Sequence, residues 1–321
     1  MSDRRFGKDT SAEEVSEGID LTGKRALVTG ASGGLGAETA RVLALRGAAV
    51  TITSRDAQKG EAVVSEIRRI TGNDAIDVMS LELLDPDAVR TFARDYLVRH
   101  SELQILVNNA GVMACPLART SEGYEMQLAT NHLGHFLLTC LLAPALRAGA
   151  PARVVNVSSR GHRFAPVDFE DPHFERRPYD KWESYGQSKT ANVLFSVGLD
   201  ARLAEHGVRA FALHPGAIMT ELGRHLSPED IAELQARVPG GKGMEWKTVP
   251  CGAATSVWAA TAPELDGRGG LYLEDCGIAG PRTSAEAEVG YEPYAVDAEA
   301  AERLWKLSEE LVHEHFDWSR A

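Results

Sequence analysis

Tyr185 and Lys189 are the residues whose types and spacing most directly suggest chemistry. They lie four positions apart in a segment with helical periodicity, so their side chains share one helix face, one turn apart. A free tyrosine has a pKa of about 10, too high for a base at neutral pH, and a nearby ammonium group would lower that pKa. The pair is a candidate proton donor and acceptor, and an exposed helix pair is the alternative.

Polar side chains also follow two predicted strands. Ser158 and Ser159 end the apolar strand 153–157, where a serine hydroxyl could hold a carbonyl oxygen while tyrosine donates its proton. Capping of the strand end is the alternative. Asn108-Asn109-Ala110-Gly111 ends the preceding strand, where turn chemistry alone could explain it. Asn131 lies in an apolar helical stretch, so its amide needs partners and we expect a structural or proton-relay role.

A glycine-rich turn follows the first predicted strand. Gly30, Gly34 and Gly36 are spaced G-x₃-G-x-G, which departs from the dinucleotide fingerprint G-x-G-x-x-G. Glycines nevertheless let a backbone turn tightly and approach a pyrophosphate, and the helix that follows offers free N–H groups at its N-terminus. We therefore predict a dinucleotide phosphate site here, with a simple strand-to-helix turn as the alternative.

The end of the second predicted strand bears on the choice of dinucleotide. A site for NAD usually has a carboxylate there to bind the ribose 2′-hydroxyl, but this chain has Ser54 followed by Arg55. An arginine can grip a 2′-phosphate through paired, charge-assisted hydrogen bonds. The sequence thus favours NADP(H), with NAD(H) possible, and a solvated Arg55 that pairs with Asp56 is the alternative.

Strands and helices alternate along the chain, which predicts an α/β fold: a single doubly wound, Rossmann-like parallel sheet with helices on both faces. The predicted strands are 25–29, 48–53, 76–83, 103–108, 153–158 and 208–214, and the predicted helices are 35–46, 58–70, 86–100, a long one within 123–146, and 184–205. Residues 1–20 are expected to form a flexible polar leader and 21–321 a single domain. Two irregular segments, about 160–183 and 220–250, are candidate substrate loops.

Composition excludes several function classes. A net charge of −12 over 321 residues disfavours nucleic-acid binding. The chain contains no apolar run of about 18 residues, so no membrane span is expected. The four cysteines form no CxxC pair, and we interpret them as buried thiols in a reducing compartment rather than as disulfides or a metal site. These features predict a cytoplasmic protein without a bound metal.

Together these motifs resemble the short-chain dehydrogenase/reductase family, and within it the retinol-dehydrogenase-like and WW-domain-oxidoreductase-like branch. The resemblance covers about residues 21–312. It is carried by Thr29-Gly30-x₃-Gly34-x-Gly36, Asn108-Asn109-Ala110-Gly111, Asn131-His132-Leu133-Gly134-His135-Phe136, Ser159, Tyr185-x₃-Lys189, His214-Pro215-Gly216 and the tail stretch Leu304-Trp305-Lys306-Leu307-Ser308.

The resemblance implies a role for each matching residue. Tyr185 would be the general acid and base, Lys189 would lower its pKa and hold the nicotinamide ribose, Ser159 would polarise the carbonyl, and Asn131 would anchor a water that relays protons. The remaining cofactor contacts would come from Ser32, Gly33 and Leu35 at the pyrophosphate, from Asn109, Ala110, Gly111, Glu82 and Leu83 on the adenosine side, and from Pro215, Gly216, Ile218 and Thr220 at the nicotinamide. Glu82 stands where the family usually has Asp.

Family geometry would also place an apolar lining around the reacting carbon, formed by Met113, Phe164, Trp182, Met219, Leu222 and Trp246. That lining predicts a small lipophilic alcohol, ketone or aldehyde as substrate, although these residues could simply pack loops onto the domain. Membrane-bound retinol dehydrogenases begin with an apolar anchor that this sequence lacks, so retinoid is not carried over as substrate. His214, His162 and His135 are interpreted as core histidines.

The predicted function is therefore an NADP(H)-preferring oxidoreductase that moves a hydride between nicotinamide and an alcohol or carbonyl carbon. An NAD-dependent steroid or secondary-alcohol dehydrogenase is one alternative. A non-catalytic dinucleotide-sensing or scaffold protein is another, and the presence of Tyr185 and Lys189 weighs against it. The family often assembles as homodimers or homotetramers.

Overall fold

A computed structural model describes residues 6–236 and 245–318, and within them one sheet of eight strands. In chain order the strands are β1 Arg25–Val28, β2 Ala49–Ser54, β3 Ile76–Ser80, β4 Ile105–Asn108, β5 Ala152–Val157, β6 Val208–His214, β7 Leu271–Glu274 and β8 Gly277–Ile278. Their order across the sheet is β3-β2-β1-β4-β5-β6-β7-β8. Neighbouring strands are parallel except for the antiparallel pair β7–β8. The predicted Rossmann-like sheet is confirmed, and β7 and β8 are additions that the sequence did not predict.

Helices cover both faces of this sheet. The α-helices are α1 Ala12–Val15, α2 Gly34–Leu45, α3 Ala57–Thr71, α4 Pro86–Arg99, α5 Met126–Leu128, α6 Gly134–Leu141, α7 Ala143–Ala148, α8 Lys181–Leu203, α9 Pro228–Ala236, α10 Val249–Thr261 and α11 Ala298–Leu311. Short 3₁₀ turns lie at Arg160–Phe164, Ala204–His206, Glu221–Gly223, Pro263–Leu265 and Pro293–Val296.

Side-chain caps begin most of the long helices. Asp56, Asp85, Asp180, Thr248 and Asp297 each accept a hydrogen bond from a backbone N–H in the first turn of the helix that follows. These bonds satisfy donors that have no partner within the helix, and each contributes about 1 kcal/mol. The helix α2 is the exception, because its N-cap Gly33 has no side chain to offer.

Two apolar clusters hold the layers together. One contains side chains of α1, α2, α3 and α10 with one face of the strands, and the other contains side chains of α4, α6, α8 and α11 with the opposite face. The chain direction across the sheet reverses between β1 and β4. In an open α/β sheet this switch point, at the carboxyl ends of the strands, is where ligands bind.

The long helix predicted within 123–146 is interrupted. Between α5 and α6, residues Ala129–Leu133 form a turn of π-helix, in which the backbone N–H of Gly134 donates to the carbonyl oxygen of Ala129. Such single π turns inside α-helices occur frequently at functional sites. Asn131 lies at the centre of this one, so a wider turn takes the place of the regular helix that periodicity predicted.

The predicted flexible leader is corrected by the structure for residues 6–20; residues 1–5 lie outside the described residues. The helix α1 has a reciprocal capping box between Ser11 and Glu14. Ala12 and Val15 are buried and pack against α10. The polar composition of this segment conceals two apolar residues spaced three apart on one helix face, and their burial joins the segment to the domain.

Candidate active site

A cleft of about 1540 Å³ opens at the carboxyl ends of the strands. It extends from the glycine-rich turn after β1, past the ends of β4, β5 and β6, to the segments after residue 215. Every cofactor and substrate residue expected from the sequence lines it, as do Ser159, Tyr185 and Lys189. Asn131 does not line the cleft and lies directly behind it.

Tyr185 lies in the first part of α8, which Asp180 caps. The side chain is buried, and its hydroxyl forms a hydrogen bond with the side chain of Ser159. Burial raises the pKa of Tyr185 to about 12, and the bond to Ser159 acts in the opposite direction. The phenol is therefore protonated at neutral pH and can donate a proton to a ligand oxygen.

Lys189 is buried one turn further along α8 and is only 3% exposed. Its Nζ donates a hydrogen bond of 3.0 Å to the carbonyl oxygen of Val157 and lies 5.7 Å from the centre of the Tyr185 ring. Burial lowers the pKa of Lys189 to about 8. The cost of burying the phenolate is the largest effect on the pKa of Tyr185, and the lowering of that pKa by the Lys189 ammonium stays a prediction.

The two serines after β5 have different environments. The Oγ of Ser158 is buried and donates to the carbonyl oxygen of Lys189 at 2.7 Å, which ties the strand end to α8. The Oγ of Ser159 accepts from the backbone N–H of Gly161 at 2.9 Å and meets the Tyr185 hydroxyl. Only Ser159 therefore presents its hydroxyl beside the tyrosine.

Both polar atoms of the Asn131 amide form hydrogen bonds with protein groups. Its Oδ1 accepts from the backbone N–H of Val112 at 2.8 Å, and its Nδ2 donates to the carbonyl oxygen of Val112 at 3.0 Å and to Oγ of Ser188 at 2.9 Å. The side chain thus fixes the backbone that leaves β4 and links it to α8. The resemblance implied that this amide anchors a water. The position left for such a water on the side chain is the second lone pair of Oδ1.

The turn after β1 packs too closely against neighbouring backbone and side chains to admit a Cβ at two of its glycines. A Cβ at Gly30 would lie 2.7 Å from Cβ of Ala110, and a Cβ at Gly36 would lie 2.5 Å from Nδ2 of Asn109. That Nδ2 donates to the carbonyl oxygen of Thr29 at 2.8 Å, which locks the turn to the end of β4. Because Gly33 caps α2 without a side chain, the first N–H groups of α2 remain available to an anion.

The adenosine end of the cleft carries both a cation and a carboxylate. Arg55 follows β2, and its Nη1 lies 3.6 Å from Oε2 of Glu82, with both side chains solvent-accessible. Asp56 instead caps α3, so the predicted alternative of an Arg55–Asp56 pair does not occur. Lys59 lies nearby and approaches Glu221 at 3.8 Å.

The opposite end of the cleft is mainly apolar. Met219 is 68% exposed and Trp246 is 42% exposed, whereas Trp182 is buried against Phe164 with ring centres 6.2 Å apart. The helix α9 adds two lining side chains that the sequence did not predict, Ile231 and Leu234, and Leu226 just before the helix adds a third.

The two predicted substrate loops contribute unequally. In the first, residues 160, 161, 163, 164 and 182 line the cleft, whereas 165–181 do not and pack elsewhere on the domain. In the second, the described parts contribute 220–226 and 245–247 together with α9 side chains. Residues 237–244 of this loop lie outside the described residues.

Several charged residues in the cleft escaped the sequence analysis because they lie far from its motifs. Lys8 and Asp9 come from the N-terminal segment, and Nζ of Lys8 lies 2.5 Å from Oε1 of Glu245. Nζ of Lys247 lies 2.5 Å from Oδ1 of Asp275, beside Gly216. Arg160 and Arg163 line the cleft next to Ser159. Only the sequence adjacency of Arg160 and Ser159 could have signalled any of them.

The described residues form neither a metal-binding cluster nor a helix that could span a membrane. Across residues 6–236 and 245–318, no three His, Cys, Asp or Glu side chains converge as metal ligands would. None of the described helices is both long enough and apolar enough to span a bilayer. All four cysteines are free thiols.

Comparison with known proteins shows the family to which the chain belongs. The family profile described as short chain dehydrogenase matches residues 24–230. The chain belongs to the short-chain dehydrogenase family. It is 48% identical over 301 residues to a probable oxidoreductase of Streptomyces lividans, covering 92% of this chain and 99% of the relative. It is 44% identical over 294 residues to human retinol dehydrogenase 12, covering 92% and 88%.

Solved structures of this family give the same result. The fold matches an uncharacterized protein from Mycobacterium paratuberculosis with a TM-score of 0.72 and 36% identity, over 94% of this chain and 98% of the other. It also matches a short chain dehydrogenase from Burkholderia cenocepacia in complex with NADP, with a TM-score of 0.61 and 26% identity, over 79% and 98%. This chain is a retinol-dehydrogenase-like member of the short-chain dehydrogenases, an NAD(P)-dependent oxidoreductase that transfers hydride.

Proposed function

We propose that this short-chain dehydrogenase is a carbonyl reductase that prefers NADP(H) and acts on aldehydes or ketones with an apolar body. The observation that carries the proposal is the hydrogen bond between Ser159 and a protonated Tyr185 within the cleft that contains the glycine-rich turn. With its phenol protonated at neutral pH, Tyr185 can supply the proton that reduction requires at the substrate oxygen.

The chain's own residues account for the proton and the charge. When bound, a reduced nicotinamide dinucleotide supplies the hydride that the carbonyl carbon receives. Ser159 donates a hydrogen bond to the carbonyl oxygen, and Tyr185 transfers its proton to that oxygen as the C=O π bond becomes an alcohol C–O–H. The phenolate of Tyr185 then regains a proton from solvent, with the Lys189 ammonium stabilising it in the interval.

Arg55 supports the preference for NADP(H). Its guanidinium is solvent-accessible at the adenosine end and forms a long ion pair with Glu82 at 3.6 Å. It can therefore turn to bind a 2′-phosphate. Glu82 supports NAD(H) as the alternative cofactor, because a carboxylate at this end can bind a ribose hydroxyl. We propose the cofactor-binding residues as named from the resemblance, since the geometry of the glycine-rich turn fits a pyrophosphate.

The apolar end of the cleft supports a lipophilic substrate body. Phe164, Met219, Leu222 and Trp246 line it together with the side chains of α9. A scaffold protein without turnover remains the alternative of another class. The presence of Ser159, Tyr185 and Lys189 in one cleft supports an enzyme with catalytic turnover.

The test is NADPH oxidation by the purified protein with benzaldehyde and acetophenone, followed by the absorbance of the reduced cofactor. We expect turnover by the wild type, and a loss of about 10²-fold or more in Tyr185→Phe, which keeps the ring but removes the proton. NADPH binding, measured by calorimetry, should be retained in the variant. Equal and negligible rates for both proteins across a broad panel of carbonyl compounds would overturn the proposal.

A further inference from the structure

Arg160 is a cleft residue that forms no ion pair with any residue in the described structure. It directly follows Ser159 and lines the cleft. Its backbone N–H donates to Nδ1 of His214 at 3.0 Å, which holds the residue in place. Within residues 6–236 and 245–318, its guanidinium has no carboxylate at ion-pair distance, and its buried Nε has no hydrogen-bond acceptor. A buried donor without an acceptor costs free energy until a ligand or a water molecule supplies one.

The surroundings of Arg160 add to its positive charge. Arg163 also lines the cleft, and its guanidinium donates to backbone carbonyl oxygens, those of Glu288 at 3.2 Å and Gly290 at 2.5 Å among them. Its buried Nε likewise has no acceptor in the described chain. Backbone carbonyls carry no formal charge, so Arg160 and Arg163 place two guanidinium groups without an ion-pair partner among the described residues beside Ser159.

Neighbouring groups respond to this charge. Burial lowers the pKa of His214 well below its usual value, and Arg160, Lys247 and Arg163 lower it further. The buried Glu274 is the carboxylate that interacts with both arginines; burial raises its pKa, and its Oε1 accepts from the backbone N–H of Gly290 at 2.5 Å. Glu274 thus stabilises the loop and does not form an ion pair with either arginine.

We propose that Arg160, supported by Arg163, binds an anionic group of the substrate, a carboxylate or a phosphate. This inference rests on the proposed carbonyl reduction and narrows its substrate class to aldehydes and ketones that carry a negative charge at their far end. Because Ser159 and Arg160 are consecutive residues that both line the cleft, the anion would lie in the same cleft as the carbonyl held by Ser159. The apolar lining would then contact the body between the two groups.

The experiment compares substrates that differ only in this charge. The probes are para-carboxybenzaldehyde, its methyl ester and para-formylphenyl phosphate, each with NADPH. In the wild type we expect kcat/KM for an anionic aldehyde to exceed that of the ester by about tenfold or more, the effect of a charge-assisted hydrogen bond. In Arg160→Gln this ratio should fall to about one, and in Arg160→Lys it should remain above one. The better of the two anions identifies the group.

Arg268→Gln is the matched control, because it removes one positive charge from an exposed position that does not line the cleft. Its ratio should equal that of the wild type. A ratio of about one in the wild type, or an unchanged ratio in Arg160→Gln, would overturn the inference while leaving carbonyl reduction intact.

A binding measurement separates this inference from the proposed function. Calorimetry of para-carboxybenzaldehyde against the protein saturated with NADP⁺ reports affinity without turnover. We expect the affinity to fall about tenfold in Arg160→Gln and to be unchanged in Arg268→Gln. If no aldehyde is reduced yet the Arg160-dependent affinity is found, the proposed reaction fails and the anion site stands. If the affinity is the same in all three proteins, the anion site fails.

Discussion

The ammonium of Lys189 lies 5.7 Å from the centre of the Tyr185 ring, yet both side chains are buried and burial dominates the acidity of each. The pKa of Tyr185 is raised to about 12 and that of Lys189 is lowered to about 8. Burial disfavours whichever form is charged, so it moves the two groups in opposite directions. Near pH 7 the site consequently contains a neutral phenol and a cationic amine.

The low pKa of Lys189 makes stability depend on pH. The pKa falls from 10.5 to about 8 on folding. Between these values the unfolded chain holds a proton that the native protein releases, so stability rises with pH across this window. Below the window the folded protein must bury a charged amine, which lowers its free energy of unfolding by about 3 kcal/mol relative to its value above the window. Urea unfolding of wild type and Lys189→Met near pH 7 and near pH 9.5 measures this effect. Relative to the variant, the wild type should have a higher free energy of unfolding at pH 9.5 than at pH 7.

Lys24→Met is the control for that measurement. Lys24 is exposed, so its side chain meets water in both the folded and the unfolded protein. The free-energy difference between wild type and Lys24→Met should be the same at both pH values. A Lys189→Met difference that is equally flat would contradict the effect of burial on this amine.

The adjacent serines should separate catalysis from stability. Ser159→Ala removes the hydroxyl beside Tyr185, and we expect kcat for aldehyde reduction to fall about 10²-fold with little change in stability. Ser158→Ala removes a buried hydrogen bond to the carbonyl oxygen of Lys189, and we expect a loss of about 1 kcal/mol in unfolding free energy. Steady-state kinetics and urea unfolding check both variants. A larger kinetic loss in Ser158→Ala would reverse the assignment.

Two alanine substitutions test the glycine-rich turn. In Gly36→Ala the new Cβ would lie 2.5 Å from Nδ2 of Asn109 and 2.7 Å from the carbonyl oxygen of Gly30, so we expect a loss of about 1–3 kcal/mol in stability. In Gly33→Ala the Cβ meets no atom within 4 Å, but it stands in the cleft where a pyrophosphate would bind. Unfolding should be unchanged there, while NADPH affinity measured by calorimetry falls about tenfold. Unaltered affinity in Gly33→Ala would place the pyrophosphate elsewhere.

Arg55→Asp tests the preference for NADP(H). Removal of the guanidinium should weaken NADPH binding by about 10- to 100-fold, the range for charge-assisted hydrogen bonds, and should affect NADH much less. Fluorescence titration with both cofactors measures the change. Arg94→Asp is the matched control, since it makes the same charge change at an exposed position of α4 outside the cleft. An unchanged ratio of the two affinities would show that Arg55 does not select the cofactor.

Ala12→Asp tests whether the N-terminal segment is part of the domain. Ala12 is 0% exposed in α1 and packs with α10, so a carboxylate there would be buried without a partner. We expect a loss of about 2 kcal/mol or more in unfolding free energy. Ala57→Asp makes the same change at an exposed alanine and should be nearly neutral. Equal stability of the two variants would indicate that the segment separates from the domain in solution.

The amino-acid sequence by itself determined what depends on neighbouring residues. Strand and helix periodicity specified the parallel sheet, and the capping residues set where several helices begin. The glycine spacing and the Tyr185–Lys189 spacing are also local, because a turn and one helical repeat fix which groups meet. For this reason the predicted cofactor and substrate residues line one cleft.

Only the tertiary structure decided what depends on burial and on chain segments far apart. The acidity of Tyr185 follows from the side chains packed around it, which no spacing within α8 reveals. The π turn at Asn131 depends on partners from the end of β4 and from α8. The segment that leads into α1 brings Lys8 to the cleft, and the fold of distant segments leaves Arg160 without an ion pair in the described chain. Burial and charge balance are sums over the whole fold, so they appear only once the chain has packed.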